Sequence, residues 1–197
     1  MATQTAVAPI PVERWAEAQK GELDFWQSED RSALARYLDG IYMAALGINL
    51  DSVAGLSVLD LGGGPMPMAW LMGLPVAELT VVDPLPIDST APFLRIHSAA
   101  EDYTGPQCDE VWGYNVLQHV RDPALVIATA KVHARQRVRW FDWTDSKIEA
   151  HHPHSISATW LIHQFTEPGW RLTVCSRGSV RVPKVQHYVA IVAERVD

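Results

Sequence analysis

Asp60, Gly62, Gly63 and Gly64 stand where the apolar run "VLDL" (58–61) passes into glycines and then into Pro65 and Pro67. A strand that ends in glycines and feeds a helix exposes backbone N–H groups at a helix start. It also admits a ligand without meeting any Cβ. A dinucleotide requires G-x-G-x-x-G; Gly62 and Gly64 fit, but the third glycine is replaced by Pro67. The phosphate loop of nucleotide hydrolases requires Gly-Lys-Ser or Gly-Lys-Thr, and no lysine lies in this turn. What remains is D-x-G-x-G followed about twenty residues later by an acid, Asp83. A carboxylate at that place can accept both hydroxyl hydrogens of a ribose.

Two further segments extend the pattern: "LTVVDP" (79–84) around Asp83, and "DEVWGYNVLQHVRDP" (109–123). With "VLDLGGGP" (58–65) they resemble the first, second and fourth-strand motifs of the class I S-adenosylmethionine-dependent methyltransferases. The resemblance runs from about Ser57 to the end of the chain. It implies a cytoplasmic enzyme that uses S-adenosyl-L-methionine, with a seventh strand inserted antiparallel between the fifth and sixth. Gly62, Gly63 and Gly64 would face the methionine and ribose, with Asp60 holding the turn or reaching the amino group through water. Asp83 would bind the ribose hydroxyls, Ala100 and Glu101 would lie beside the adenine, and Asn115 and Val116 would floor the site near the sulfonium. The family often has an aspartate where this chain has Ala99, so Glu101, Asp102 or a backbone carbonyl must meet the adenine amino group. Arg36 and Tyr37 are placed to reach or cover the cofactor carboxylate.

Methyl transfer to a hydroxyl or amine requires alignment and removal of a proton. A base is expected at the carboxyl ends of the strands, where open parallel sheets bind ligands. His119 follows the predicted fourth strand, and His151, His152 and His154 in "EAHHPHS" follow the fifth. His119, His152 and His154 are the candidates, a loop-holding role being the alternative for each. Imidazoles also suit a metal, but Pro153 stiffens the segment, and neither an i, i+4 spacing nor a cysteine pair completes a site, so no metal is expected. Trp26 and Trp143 could wall a pocket, while Trp70, Trp112, Trp140, Trp160 and Trp170 fall within predicted elements and are expected as packing.

The elements that must position these residues follow from hydrophobic periodicity. Trp15 to Trp26 and Leu34 to Tyr42 read as two helices, broken near 27–30, where Ser28 or Asp30 could cap the second. "SVLDL", "ELTVVD", "FLRIHS", "DEVWGYN", "RVRWFDW", "WRLTVCSRG" and "KVQHYVAIVAE" read as strands. "PMAWLMG", "DPALVIATAKVHA" and "SISATWLIHQF" read as helices, the second begun by Asp122 with Pro123 behind it. "PLPIDSTAP" is too rich in proline for a full helix. The order predicts an α/β fold: a Rossmann-like three-layer sandwich with a mostly parallel seven-stranded sheet, an antiparallel C-terminal strand and N-terminal helices in front. Residues 1–12 form a lead-in, 13–50 a helical cap and 51–197 the core of one globular domain.

A chain of 197 residues, 48% hydrophobic, supports one buried domain. Its net charge of -7 gives no general reason to bind nucleic acid or an anionic membrane. No signal-peptide pattern or membrane-spanning run is present, and Cys108 and Cys175 are expected as buried reduced thiols. Lys131, Arg135, Arg137 and Arg139 read as a solvated cluster at the sheet edge opposite the cofactor. No Asn/Asp-Pro-Pro-Tyr/Phe motif and no Pro-Cys nucleophile appears, which with the acidic balance counts against DNA, and the lack of room for an inserted substrate domain favours O- or N-methylation of a small molecule or an exposed sugar-like group. Two other readings stay open: a binding or regulatory module that has lost catalysis, and a nicotinamide-dependent oxidoreductase.

Overall fold

In the computed structural model, which describes residues 7–28, 31–87, 91–182 and 184–196, the apolar runs become seven strands. These are β1 (Ser57–Leu61), β2 (Glu78–Val82), β3 (Leu94–Ile96), β4 (Cys108–Tyr114), β5 (Ala134–Thr144), β6 (Trp170–Val182) and β7 (Lys184–Arg195). They form one sheet in the order β3-β2-β1-β4-β5-β7-β6. β1 to β5 run parallel, and β7 lies antiparallel between β5 and β6. The expected hairpin and the insertion of the last strand are both present. Consecutive strands with no length between them for a crossover can pair only in this way.

The sheet is crossed by α1 (Val12–Ser28), α2 (Ser32–Leu46), α3 (Leu50–Val53), α4 (Met68–Leu71), α5 (Pro123–His133) and α6 (Ala158–Gln164). α5 starts as expected: the Asp122 carboxylate accepts the N–H groups of Ala124 and Leu125, with Pro123 in the first turn. The expected cap of α2 is absent. Ser28 instead ends α1 and hydrogen-bonds Phe25 and Arg31, α2 has no side-chain cap, and Asp30 lies outside the described residues. "PMAWLMG" shortens to the single turn of α4. α3, unexpected, is fixed by reciprocal hydrogen bonds between Asn49 and Ser52.

Side chains alternate across the sheet with period two. Leu59, Leu61, Val111, Val138, Trp140, Val189 and Ile191 pack under α5 and α6. Val58, Trp112, Phe141, Ala190 and Val192 pack with Tyr42 and Leu46 of α2 on the other face. Two tryptophans and one cysteine depart from expectation: Trp70 is 44% exposed, Trp143 joins an aromatic cluster with Tyr42, Phe141 and Tyr188, and Cys175 is exposed.

The basic cluster is solvated only in part: Arg135 is exposed, as expected, whereas Arg139 is not. Arg139 is buried and donates to Glu110 at 2.8 Å and to the Leu46 carbonyl at 2.7 Å. Arg137 joins Glu110 at 2.6 Å and Glu194 at 3.1 Å, and Arg135 joins Asp109. Glu110 also accepts from Trp112 Nε1, so this buried carboxylate is fully partnered and fastens the end of α2 to the sheet.

Candidate functional site

The order of strands reverses between β1 and β4, and ligands bind open α/β sheets outside the carboxyl ends of the strands at such a switch point. Gly62–Gly64 follow β1 there, and Asn115–His119 follow β4. The two loops are pressed together. A Cβ on Gly62, which has φ +75°, would lie 2.2 Å from Val116 Cγ2, and one on Gly63 would lie 2.5 Å from the Asp60 carboxylate. These glycines are therefore required by the protein's own packing. Asp60 is fully buried beneath them and accepts a short hydrogen bond from the Tyr114 hydroxyl, which in turn accepts the Met68 N–H at 2.9 Å. Burial pushes the Asp60 carboxyl up to about 8. Asp60 thus packs beneath the turn, tied to Tyr114, with its Oδ1 unpartnered among the described residues.

Asp83, just beyond β2, is buried and accepts the N–H of Gly64 through Oδ2 and that of Leu85 through Oδ1, each at 2.9 Å. Burial raises its pKa, opposed by these N–H groups and by Arg95. Arg95 donates to the Gly64 carbonyl at 2.7 Å and closes the turn from the other side. Glu101 lies in the single 3-10 turn Ala100–Asp102 and accepts the N–H groups of Arg121 and Asp122 through Oε1 at 2.6 and 3.0 Å. Its Oε2 is buried with no hydrogen-bond partner among the described residues. Asn115 adopts the left-handed conformation at φ 57° and donates its N–H to Phe141. Gly62–Gly64, Asp83, Ala99–Glu101, Asn115 and Val116 all line one cleft, whose open space, mouth included, is about 870 Å³.

α1 roofs this cleft. Only Ala18 of α1 is buried, so polar ties hold the helix in place. Arg14 donates to the carbonyls of Glu149 and Ala150 at 2.6 Å, and Gln19 donates to that of His119 at 2.8 Å. From this roof Glu22 and Trp26 face the cleft. Glu22 Oε1 lies 3.2 Å from His119 Nδ1. Burial, with the nearby Asp83 charge, raises Glu22 to about 7, against a hydrogen bond from the Trp26 side chain. Burial lowers His119 to about 3, so His119 is neutral at pH 7 and the contact is a hydrogen bond. α2 contributes Asp39 and Tyr42. Asp39 is 4% exposed and pushed up to about 7 by burial, partly offset by Arg36.

The histidines separate. His119 lines the cleft, but both ring nitrogens are engaged: Nδ1 by the His151 carbonyl at 3.1 Å, Nε2 by the Gln118 amide at 3.2 Å. His152 packs edge-on against His119 at 4.7 Å outside the cleft lining, and burial holds it near 4. His154 is buried against the Val120 carbonyl at 2.9 Å and faces the loop. Glu22, His119 and His152 each offer one ligand atom within 4.8 Å of the others. No local pattern announces that meeting, because Glu22 lies 97 residues upstream of His119. The engaged nitrogens of His119 make it a hydrogen-bonded hinge between roof and floor. Arg36 donates to the Leu71 carbonyl at 2.7 Å and does not line the cleft, Tyr37 is 53% exposed, and Trp143 lies away from the cleft.

No protein-family model matches the chain, and no curated protein does. Solved structures do. A 1,6-didemethyltoxoflavin-N1-methyltransferase from Burkholderia thailandensis, with bound 1,6-didemethyltoxoflavin and S-adenosylhomocysteine, aligns with TM-score 0.67 at 17% identity, over 100% of this chain and 98% of that one. The N-methyltransferase NodS from Bradyrhizobium japonicum, in complex with S-adenosylhomocysteine, aligns with TM-score 0.70 at 14% identity, over 93% and 100%. The [4+2]-cyclase SpnF aligns with TM-score 0.72 at 11% identity, over 98% and 99%. No helix among the described residues is long and apolar enough to cross a membrane. The chain has the fold of the class I S-adenosylmethionine-dependent methyltransferases.

Proposed function

We propose that the protein is an S-adenosylmethionine-dependent methyltransferase acting on nitrogen or oxygen of a small molecule. The observation that carries this reading is Asp83. Each of its oxygens accepts one backbone N–H, and a carboxylate oxygen has two lone pairs. One acceptor position per oxygen is left at the cleft, which suits a pair of vicinal hydroxyls. The unpartnered Oε2 of buried Glu101 is a second acceptor, beside Ala99 and Ala100, suited to an exocyclic amino group. The backbone of Gly62–Gly64 and the floor of Asn115 and Val116 complete the fit.

When bound, the cofactor supplies a methyl group on a positively charged sulfur, open to in-line displacement. The chain's tasks are then to align the acceptor, exclude water and take a proton. Glu22 is the group we assign to the proton: it faces the cleft, and its pKa of about 7 suits a base at neutral pH. His119 positions Glu22 from 3.2 Å, with His152 packed behind it. A roof built from one helix leaves room for a small acceptor. The cyclase among the solved structures favours one second reading, that the fold is kept and methyl transfer is not.

Calorimetric titration with S-adenosylmethionine, S-adenosylhomocysteine and NADH tests the cofactor. Micromolar binding of the first two alone is expected, and Asp83→Ala abolishes it. Binding of NADH alone, or unchanged affinity in Asp83→Ala, refutes the assignment. Activity against a panel of small amines and hydroxyl compounds separates enzyme from binding module.

A further inference from the structure

The cleft is lined by the carboxyl groups of Glu22, Asp39, Asp83 and Glu101, and by no lysine or arginine. Under the reading above, on which this inference rests, Asp83 and Glu101 face the cofactor. Asp39 and Glu22 are not used in holding it. Asp39 is more than nine-tenths buried, and its Oδ2 has no hydrogen-bond partner among the described residues. An isolated buried carboxylate is strongly unfavourable, and it becomes favourable when a cation enters beside it. The neighbouring surfaces are aromatic: Tyr42 one turn along α2 from Asp39, and Trp26 one turn along α1 from Glu22. Aromatic faces attract cations, and organic ammonium groups most usefully where water is excluded.

The geometry points to a receptor for an organic ammonium group formed by Asp39 and Glu22 between α1 and α2, so that the methyl acceptor is a small basic amine. A neutral alcohol acceptor would leave both carboxyl groups without a counter-charge beyond the partial one that Arg36 lends Asp39. An anionic acceptor would be repelled. The cofactor's own amino group carries the same chemistry, and the experiment must separate the two sources.

The probes are benzylamine and benzyl alcohol, similar in size and different in charge, titrated into protein saturated with S-adenosylhomocysteine. Wild-type protein is expected to bind benzylamine at least tenfold more tightly than benzyl alcohol. Asp39→Asn and Glu22→Gln, whose folding is checked by thermal melting, are expected to remove that preference and to change S-adenosylhomocysteine affinity by less than about twofold. Equal binding of amine and alcohol, or no binding of either, overturns the inference without any variant. A tenfold loss of S-adenosylhomocysteine affinity in Asp39→Asn, with the benzylamine preference intact, also overturns it by assigning Asp39 to the cofactor. If wild-type protein fails to bind S-adenosylhomocysteine, the titration is repeated on the free protein. A preference for benzylamine that depends on Asp39 would then uphold the ammonium site while the methyltransferase reading falls.

Discussion

Asp60→Asn should change how stability depends on pH by an amount the structure supplies. Folded Asp60 keeps its proton to about pH 8 because it is fully buried, and the hydrogen bond donated by Tyr114 only partly offsets that burial, whereas an unfolded aspartate loses it near 3.9. Between these values unfolding releases a proton, so the native state binds more protons and stability falls as pH rises. The slope is about 1.4 kcal/mol per pH unit, so from pH 5 to pH 7 the wild-type protein loses roughly 3 kcal/mol through this group. Asparagine does not titrate, and it keeps an oxygen for the Tyr114 hydroxyl. The other raised carboxyls, Glu22, Asp39, Asp83 and Asp142, remain in both proteins and largely cancel in the comparison. Urea unfolding of the ligand-free proteins at pH 5, 6 and 7, followed by tryptophan fluorescence, measures it. The midpoint of the variant relative to wild type should rise by on the order of 1 M across that range. Parallel pH profiles for the two proteins would refute the reasoning, since Asp60 would then be titrating as an ordinary aspartate.

Gly62→Ala should destabilise by more than the 1–2 kcal/mol of its left-handed backbone, because its Cβ meets Val116 Cγ2 at 2.2 Å. Val116→Ala in the same chain should recover part of that loss, and a double-mutant cycle by chemical denaturation would show zero coupling if the loops were not in contact. Glu110→Gln should cost about 3–5 kcal/mol by leaving buried Arg139 without its counter-charge, Arg137 keeping Glu194, lowering Tm by roughly 6–20 °C in calorimetry. One thiol, exposed Cys175, should react with Ellman's reagent at once, and buried Cys108 only on unfolding; two rapid equivalents would contradict the placement of β4.

The sheet was legible because its strands announce themselves by short apolar runs and by the abrupt change to helical spacing. The antiparallel end followed from the missing crossover before β7. Asp83 and the glycine turn were legible as a pair, since both sit at strand ends at a spacing that chemistry constrains. The reason for Gly62 and Gly63 was not: the sequence suggests room for a ligand, and the structure shows Val116 and Asp60 filling that room from within. Long-range partners explain the other departures. Arg139 reads as a surface cation until β5 is laid beside Glu110 and the end of α2. His154 reads as either a base or a loop-holding residue until the fold sets it against the Val120 carbonyl. Glu22 and Asp39, on helices placed over the sheet, carried no local signal, because neither belongs to a motif and both gain meaning only from the cleft they roof.

The two ends of the sheet treat buried charge in opposite ways. At the amino ends of β4 and β5, Glu110 takes Arg137, Arg139 and the Trp112 indole as partners. At the carboxyl ends, Asp39 is buried with an oxygen unpartnered, and no lysine or arginine lines the cleft. The chain can therefore pair a buried carboxylate where pairing serves the fold. The open carboxyl at the other end lies where a ligand would enter, and its charge is one that a bound cation would satisfy. Removing the two charges should accordingly move stability in opposite directions. Glu110→Gln lowers the melting temperature of the ligand-free protein. Asp39→Asn leaves it unchanged or raises it at pH 8, above the pKa of about 7 at which folded Asp39 ionises. Melting both variants at pH 8 decides the matter: a loss in Asp39→Asn as large as that in Glu110→Gln would mean that Asp39 has a stabilising partner and that the cleft is not waiting for a cation.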